Sequence, residues 1–505
     1  MQVSILFFKQ EKIIAMKIFK YSIVLFLLTG ISSCKKYLDK APLDSINTAN
    51  FFKTPEDAVT AINGAYQPLQ WPKLYNLRIW TSDIWSGNSI VGAGGGTDGI
   101  ETQDIANFVT TTDNAAALDI WRGPSPGILR CNLVLKNVPG IAMDESLKNR
   151  ILGEAYFLRA NYYFILVRLF GDVPLITEPV TAEDNLRPAR TPKEQVYELI
   201  INDLKQAVSL LPAASTYSGV DVGRASKGAA AGLLAKVYLT LNNYTDALSY
   251  CQQVDALGYE LNADYADNFN PSTKNSKESL FEVQYSGKSS YSFWDNENQA
   301  SWVSTFMGPR NADFVGGGYG WSQPTNEFAS LYEANDNRKD KTLLYAGCPA
   351  FDGKAYQTSY SVTGYNVRKF LVPKSVSPDY DTNPANWPVL RYADVLLMEA
   401  EALCELNRLS DAIVPLNKVR GRAGLDDVSV TTQNDLRNKI RKERRIELAF
   451  EGSNWFDIIR YDSGEYVKQF MQGIGKTNFT AKHLLLPIPQ KEIDANPNLT
   501  QNAGY

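Results

Sequence analysis

Two stretches of the chain combine aromatic rings with amide, carboxylate and guanidinium side chains. The first holds Trp80, Asp83, Trp85 and Asn88, directly before the glycine-rich run 92–99. The second holds Tyr291, Phe293, Trp294, Asp295, Asn296 and Asn298, followed by Trp302, Arg310, Asn311, Tyr319 and Trp321. Rings cover flat faces of C–H groups, and the polar side chains bond hydroxyls around them, so these sets suit a ligand such as a sugar. Neither stretch has a helical period to place its rings in a core. Each ring therefore keeps two readings, core packing and ligand stacking.

Other chemistries find less support. The chain has one histidine, His483, so a Ser-His-Asp triad could use no other and a two-histidine metal site cannot be built. His483 precedes the apolar run 484–489 and reads as packed or surface-lying. Of five cysteines, Cys131, Cys251, Cys348 and Cys404 are far apart, with no CxxC pair. They read as free, buried cysteines, although an exported protein could pair them. No metal or cofactor motif stands out, and no cofactor is expected. A glycosidase needs only two carboxylates, so composition leaves that reading open. The net charge of −4 comes without a basic block, which speaks against nucleic acid as a partner. The 27 Tyr and 9 Trp, against 6 Met, point to surfaces for something polar and flat.

These loops need a frame, and the frame reads as helical. In "SLKNRILGEAYFLRANYYFILVRLFGDVPL", Leu147, Ile151, Ala155, Leu158, Tyr162 and Ile165 share one face, and the helix is expected to stop at Gly171. A second helix is expected near "TPKEQVYELIINDLKQAVSLLP", with Thr191 as N-cap, Pro192 in first position and Glu194 closing a capping box. "LLAKVYLTLNNYTDALSY" is echoed about 160 residues later by "MEAEALCELNRLSDAIVP", when one residue of slack is allowed. Each copy reads as a helix, an Asn-bearing turn and a second helix, similar to a tetratricopeptide hairpin. Such hairpins bury their faces by stacking. Between the copies, 258–388 is irregular, with only "SLFEVQYS" strand-like, and 71–126 is a second irregular region. In "RKERRIELAFEGSNWFDIIRY" the alternating charges read as helix-surface and inter-helix ion pairs over packed Trp455 and Phe456, in preference to an acid/base site.

The N-terminus has its own pattern. Between Lys20 and Lys35 lie 14 uncharged residues, too few to span a membrane. Gly30, Ile31, Ser32 and Ser33 precede Cys34, which resembles a bacterial lipobox. That resemblance makes Cys34 the lipidated first residue of the mature chain, after a signal peptide at 16–33. Residues 1–15 read as an upstream mis-start.

The stretches "FFKTPEDAVTAINGAYQPL", "GILRCNLVLKNVPG", "GEAYFLRANYYFILVRLFGDVPL", "IRKERRIELAFEGSNWFDIIR" and "LLLPIPQKEIDANPNLTQNAGY" resemble the SusD/RagB family of outer-membrane lipoproteins of Bacteroidetes. Together with the second helix-turn-helix copy, the resemblance runs from Cys34 to Tyr505 in the family's order. It implies a mainly α fold with tetratricopeptide-like hairpins, a single domain over 34–505 in two parts (about 34–257 and 258–505), and long loops bearing the ligand site. It further implies a cell-surface, lipid-anchored, non-catalytic protein that captures oligosaccharide for a SusC-like TonB-dependent transporter. Some members of the family take up peptides or glycoproteins, which leaves a peptide-binding role as the alternative.

Overall fold

In the computed structural model, residues 51–93, 96–180, 185–287, 292–429 and 432–505 are described. Cys34, the expected signal peptide and Tyr291 lie outside them. Thr54–Tyr505 forms one compact unit.

Its frame is a file of antiparallel helices: α1 Pro55–Tyr66, α2 Ser125–Asn137, α3 Glu145–Phe170, α4 Lys193–Leu210, α5 Lys227–Thr240, α6 Tyr244–Asp255, α7 Tyr392–Glu405, α8 Leu409–Arg422 and α9 Gln433–Glu447, followed by the short α10 Asn454–Arg460. Neighbours in sequence pack as hairpins: α3 on α4, α5 on α6, α7 on α8. Helices α4 on α5 and α6 on α7 join the hairpins into a stack, so the contact of α6 with α7 bridges the expected division near residue 257. The long α3 opens on Asp144, whose side chain caps Leu147, and stops at Gly171 as its pattern requires. No helix among the described residues is long and apolar enough to cross a membrane.

The two echoing hairpins share one register with no slack. Asn242 and Asn407 take left-handed φ of 56° and 58° at the centre of three-residue turns, a conformation Asn tolerates better than most residues. In both turns the residue after Asn donates its N–H to the carbonyl five residues back, Asn243 to Tyr238 and Arg408 to Leu403. The offset is thus uniform from Leu241/Leu406 to Ala247/Ala412. The expected cap of α4 is corrected. Thr191 is extended and pairs with Val173, so its backbone is engaged before the helix starts. Pro192 takes the cap position, and the Asp172 carboxylate accepts the Lys193 N–H at 2.9 Å.

The charged run after residue 440 is corrected as well. Glu443, Arg444 and Glu447 are buried rather than on a helix surface. Glu447 meets Arg338, Arg391 and Arg422, while Arg444 meets Asp394 and Asp457, so the inter-helix part of the reading holds. Burial by itself would raise the pKa of Glu447. The charges of Arg422, Arg391 and Arg338 outweigh it and hold the carboxyl well below its ordinary range. This network ties α8 and α9 to the long insertion between α6 and α7, through Glu278 and Arg338.

Strand β2 Ser279–Val283, expected from its alternation, pairs antiparallel with β6 Trp387–Arg391, which pattern reading missed. Two further two-residue pairs are β1 Ser89–Ile90 with β3 Gln323–Pro324, and β4 Leu343–Leu344 with β5 Asn366–Val367. The region 71–126 is less irregular than expected and contains helices Ile100–Ala106 and Ala115–Arg122.

Candidate functional site: an aromatic platform

The two irregular regions knit into one lobe through contacts between residues more than 200 apart in sequence. Strands β1 and β3 join them. The Asn76 amide donates to the Ala300 carbonyl at 3.0 Å, and its oxygen accepts the Trp302 N–H at 2.7 Å. Gln67 and the Trp71 indole both donate to the Asn296 carbonyl at 3.0 Å. Asp98 forms an ion pair with Arg310, whose Nε also donates to the Tyr319 carbonyl at 3.2 Å.

At the centre lies the helical turn Val303–Met307. Phe306 gathers rings from both regions: Trp80 at 5.9 Å, Trp321 at 5.2 Å, Phe293 at 5.2 Å and Tyr319 at 5.3 Å between centroids. Most of this cluster is buried, but three rings on its outer side are not. Trp294 is 58% exposed, Tyr380 52% and Tyr319 37%. Trp294 rests on Phe293 at 4.8 Å, and Tyr380 on Trp302 at 5.3 Å. An exposed ring propped by a buried ring keeps its orientation without a ligand, which lowers the ordering cost of stacking.

Tyr380 belongs to neither stretch singled out by sequence. Its place depends on a glycine run at 316–318. A Cβ on Gly316 would meet the Asp379 carbonyl oxygen at 2.8 Å, and Gly317 takes φ +117° where its Cβ would meet Tyr380 Cβ at 2.8 Å. Only glycine admits this approach of two backbones. The Thr305 hydroxyl then holds the Tyr380 carbonyl at 2.7 Å. A glycine run opposite a tyrosine 60 residues on was the one available signal, and it carries no information about pairing.

Of the residues expected to face a ligand, Trp294, Asp295, Asn296, Arg310 and Tyr319 lie at the surface of this lobe. Asp295 is held by Ser292, whose N–H and hydroxyl donate to its carboxylate. Trp80, Trp302 and Trp321 are buried beneath the platform as its support. Asp83, Trp85 and Asn88 are corrections, since all three are enclosed. Asp83 accepts from the Gly452 N–H at 2.6 Å and from Asn88 at 2.8 Å, while the Asn88 oxygen accepts from Arg445 and Asn454. Trp85 packs edge-on to Trp455. These three weld the first loop to the turn before α10. Burial raises the Asp83 pKa to about 7 despite its two hydrogen bonds.

His483 is buried, as a packed histidine should be, with Nδ1 accepting the Thr480 N–H at 2.9 Å. Burial and the neighbouring Lys482 charge lower its pKa. Cys131, Cys251, Cys348 and Cys404 are free thiols. Among the described residues no group of three His, Cys, Asp or Glu side chains is placed to hold a metal ion.

Comparison with known proteins gives matches over nearly the whole chain. Residues 277–505 match the SusD family, and residues 36–239 match a family described as starch-binding and associating with the outer membrane. SusD-like protein P2 of Formosa agariphila is 31% identical over 97% of this chain and 100% of its own length. The starch-binding protein SusD of Bacteroides thetaiotaomicron is 23% identical over 75% of this chain and 76% of its own. Among solved structures, a laminarin-binding SusD-like protein is 28% identical with a TM-score of 0.78, covering 90% of this chain and all of its own. Surface glycan-binding protein A from Bacteroides thetaiotaomicron, solved with laminarihexaose, is 25% identical with a TM-score of 0.77 over 89% of this chain and all of its own.

Proposed function

We propose, from the premise that this chain belongs to the SusD family, that it is a non-catalytic glycan-binding protein of the outer membrane. It captures oligosaccharide on the Trp294–Tyr319–Tyr380 platform at the cell surface, anchored by a lipid on Cys34, and passes it to a SusC-like TonB-dependent transporter. The observation that carries the reading is the set of three exposed rings propped on buried ones. Rings so held offer sugar faces a rigid surface, and Arg310, Asn296 and Tyr319 bring polar atoms to its edge. Two of the carboxylates beside the platform are committed to protein partners. Asp98 is paired with Arg310 and Asp295 is bonded to Ser292, so each is already engaged. Relatives named for starch, laminarin and surface glycans support the ligand class.

Retention in affinity gels containing laminarin, starch or other neutral polysaccharides tests the ligand class. At least one polysaccharide should retard the chain without release of reducing ends. Release of reducing ends, or binding of peptides alone, would overturn the reading. Co-purification with a TonB-dependent transporter after mild solubilisation tests delivery.

A further inference from the structure

A second concavity lies away from the platform, between the C-terminal ends of α3 and α5, the start of α4, α10 and the last residues of the chain. It is a groove of about 1020 Å³. Its walls include Val167, Ile201, Leu241, Phe456, Leu484 and Leu485. Leu241 is 41% exposed on its rim.

Lys193, Glu194, Glu198, Arg460 and Lys482 also line it, and among its charged groups Arg168 is set apart by its contacts with two rings. The Arg168 guanidinium is clamped between the Phe164 and Phe456 rings, at 3.9 and 3.8 Å from their centroids. Its Nε donates to the Phe164 carbonyl at 3.1 Å. Its two terminal nitrogens have no hydrogen-bond or ion-pair partner among the described residues. The nearby carboxylate of Asp457 is already taken by Arg444 and Arg460. Arg168 is half-buried, whereas the fully enclosed guanidinium groups of this interior, such as Arg338, Arg391 and Arg444, meet at least two carboxylates each. Burial lowers the Arg168 pKa only to about 10, so it is cationic at neutral pH. A stacked guanidinium with a free fork is matched by a carboxylate, which accepts two parallel N–H bonds.

We propose that this groove binds an alkyl carboxylate, with the carboxylate on the free edge of Arg168 and the hydrocarbon chain along the wall of Ile201, Leu241, Leu484 and Leu485. A pocket of predominantly apolar walls with a few placed polar groups is the usual form of a site for a small molecule. Arg168, Lys193 and Lys482 line the groove without an ion-pair partner among the described residues, against the carboxylates of Glu194 and Glu198, and this surplus of positive charge favours a monoanion over a neutral or cationic chain of equal length. The site is independent of the platform, so it neither needs nor tests glycan binding.

The experiment is calorimetric titration of the purified full chain with sodium decanoate below its micellar concentration, with decyltrimethylammonium and decanol as the cationic and neutral controls. Decanoate should bind with one-to-one stoichiometry, at least tenfold more tightly than either control. Arg168→Met should weaken it at least tenfold. Leu241→Asp alters an exposed rim residue, and should weaken decanoate likewise without changing the melting temperature by more than a few degrees. Both variants should retain polysaccharide as the parent does. Absence of decanoate binding, equal binding of decyltrimethylammonium, or unchanged affinity in Leu241→Asp would overturn the proposal, including where Arg168→Met fails to fold.

Discussion

Trp294→Ala separates a ligand-stacking ring from a core ring by two readouts that should move in opposite ways. Trp294 is 58% exposed, so about two-fifths of its surface is in contact with the protein. With about 250 Å² for the side chain and ~25 cal/mol per Å², its removal costs at most roughly 2–3 kcal/mol. Unfolding entropy for a unit of this size is about 0.9 kcal/mol per kelvin, so the melting temperature should fall by no more than about 3 °C. The loss of one stacked ring should cost about 1–2 kcal/mol of binding, a five- to thirtyfold loss of affinity. Trp85 is 1% exposed. Trp85→Ala should cost about 3–5 kcal/mol of stability and leave the affinity of the folded fraction unchanged. Tyr380→Ala should behave as Trp294→Ala. The assay pairs affinity-gel retention on the polysaccharide that binds best with thermal unfolding of the same preparations. The reasoning is refuted if Trp294→Ala and Tyr380→Ala, singly and together, leave retention unchanged while Trp85→Ala weakens it without loss of stability.

Three further outcomes are expected. Glu447→Gln leaves Arg338, Arg391 and Arg422 facing a neutral amide in the interior, and should cost about 3–5 kcal/mol in urea unfolding; an unchanged midpoint would contradict the network's role. Asp83 keeps its proton up to about pH 7 when folded, whereas in the unfolded chain it is lost near pH 4. The unfolded state therefore binds fewer protons between those limits, and this residue makes stability fall as pH rises from 4 to 7. Asp83→Asn should flatten that slope in urea midpoints measured at pH 5 and pH 8, and an unaltered slope would dismiss the assignment. Cys34→Ala should move the protein from the membrane to the soluble fraction after detergent-free lysis, and continued sedimentation with membranes would count against the lipid anchor.

The helical frame was legible in the sequence because helices announce themselves locally. The 26 residues of α3 carry their apolar face, their Asp144 cap and their Gly171 stop within one continuous stretch. The echo of 241–247 in 406–412 carries the Asn of the left-handed turn, so both hairpins could be drawn from their residues alone. A solitary histidine beside an apolar run, and a chain without metal-ligand spacing, limited the chemistry by composition. The cap of α4 escaped because the Val173–Thr191 pairing, which engages Thr191 before the helix begins, is a contact between positions 18 apart in sequence. The sign and spacing of the charges after residue 440 were visible, but their burial was not, since Glu447 finds Arg338 and Arg391 in an insertion that arrives from elsewhere.

For the site the balance reverses. Trp80, Trp85, Trp294 and Trp321 stand in similar company in the sequence, yet one is exposed and three are enclosed. What covers Trp80 is Phe306 and Trp321, and what covers Trp85 is Trp455, each supplied by chain more than 200 residues away. Tyr380 gained its place through glycines whose lack of a side chain lets another backbone lie against them. Residue type determined that the chain has rings to offer. Which of them reach solvent was decided only when two distant loops closed on each other, because burial is set by the neighbour that arrives and loops carry no period that foretells it.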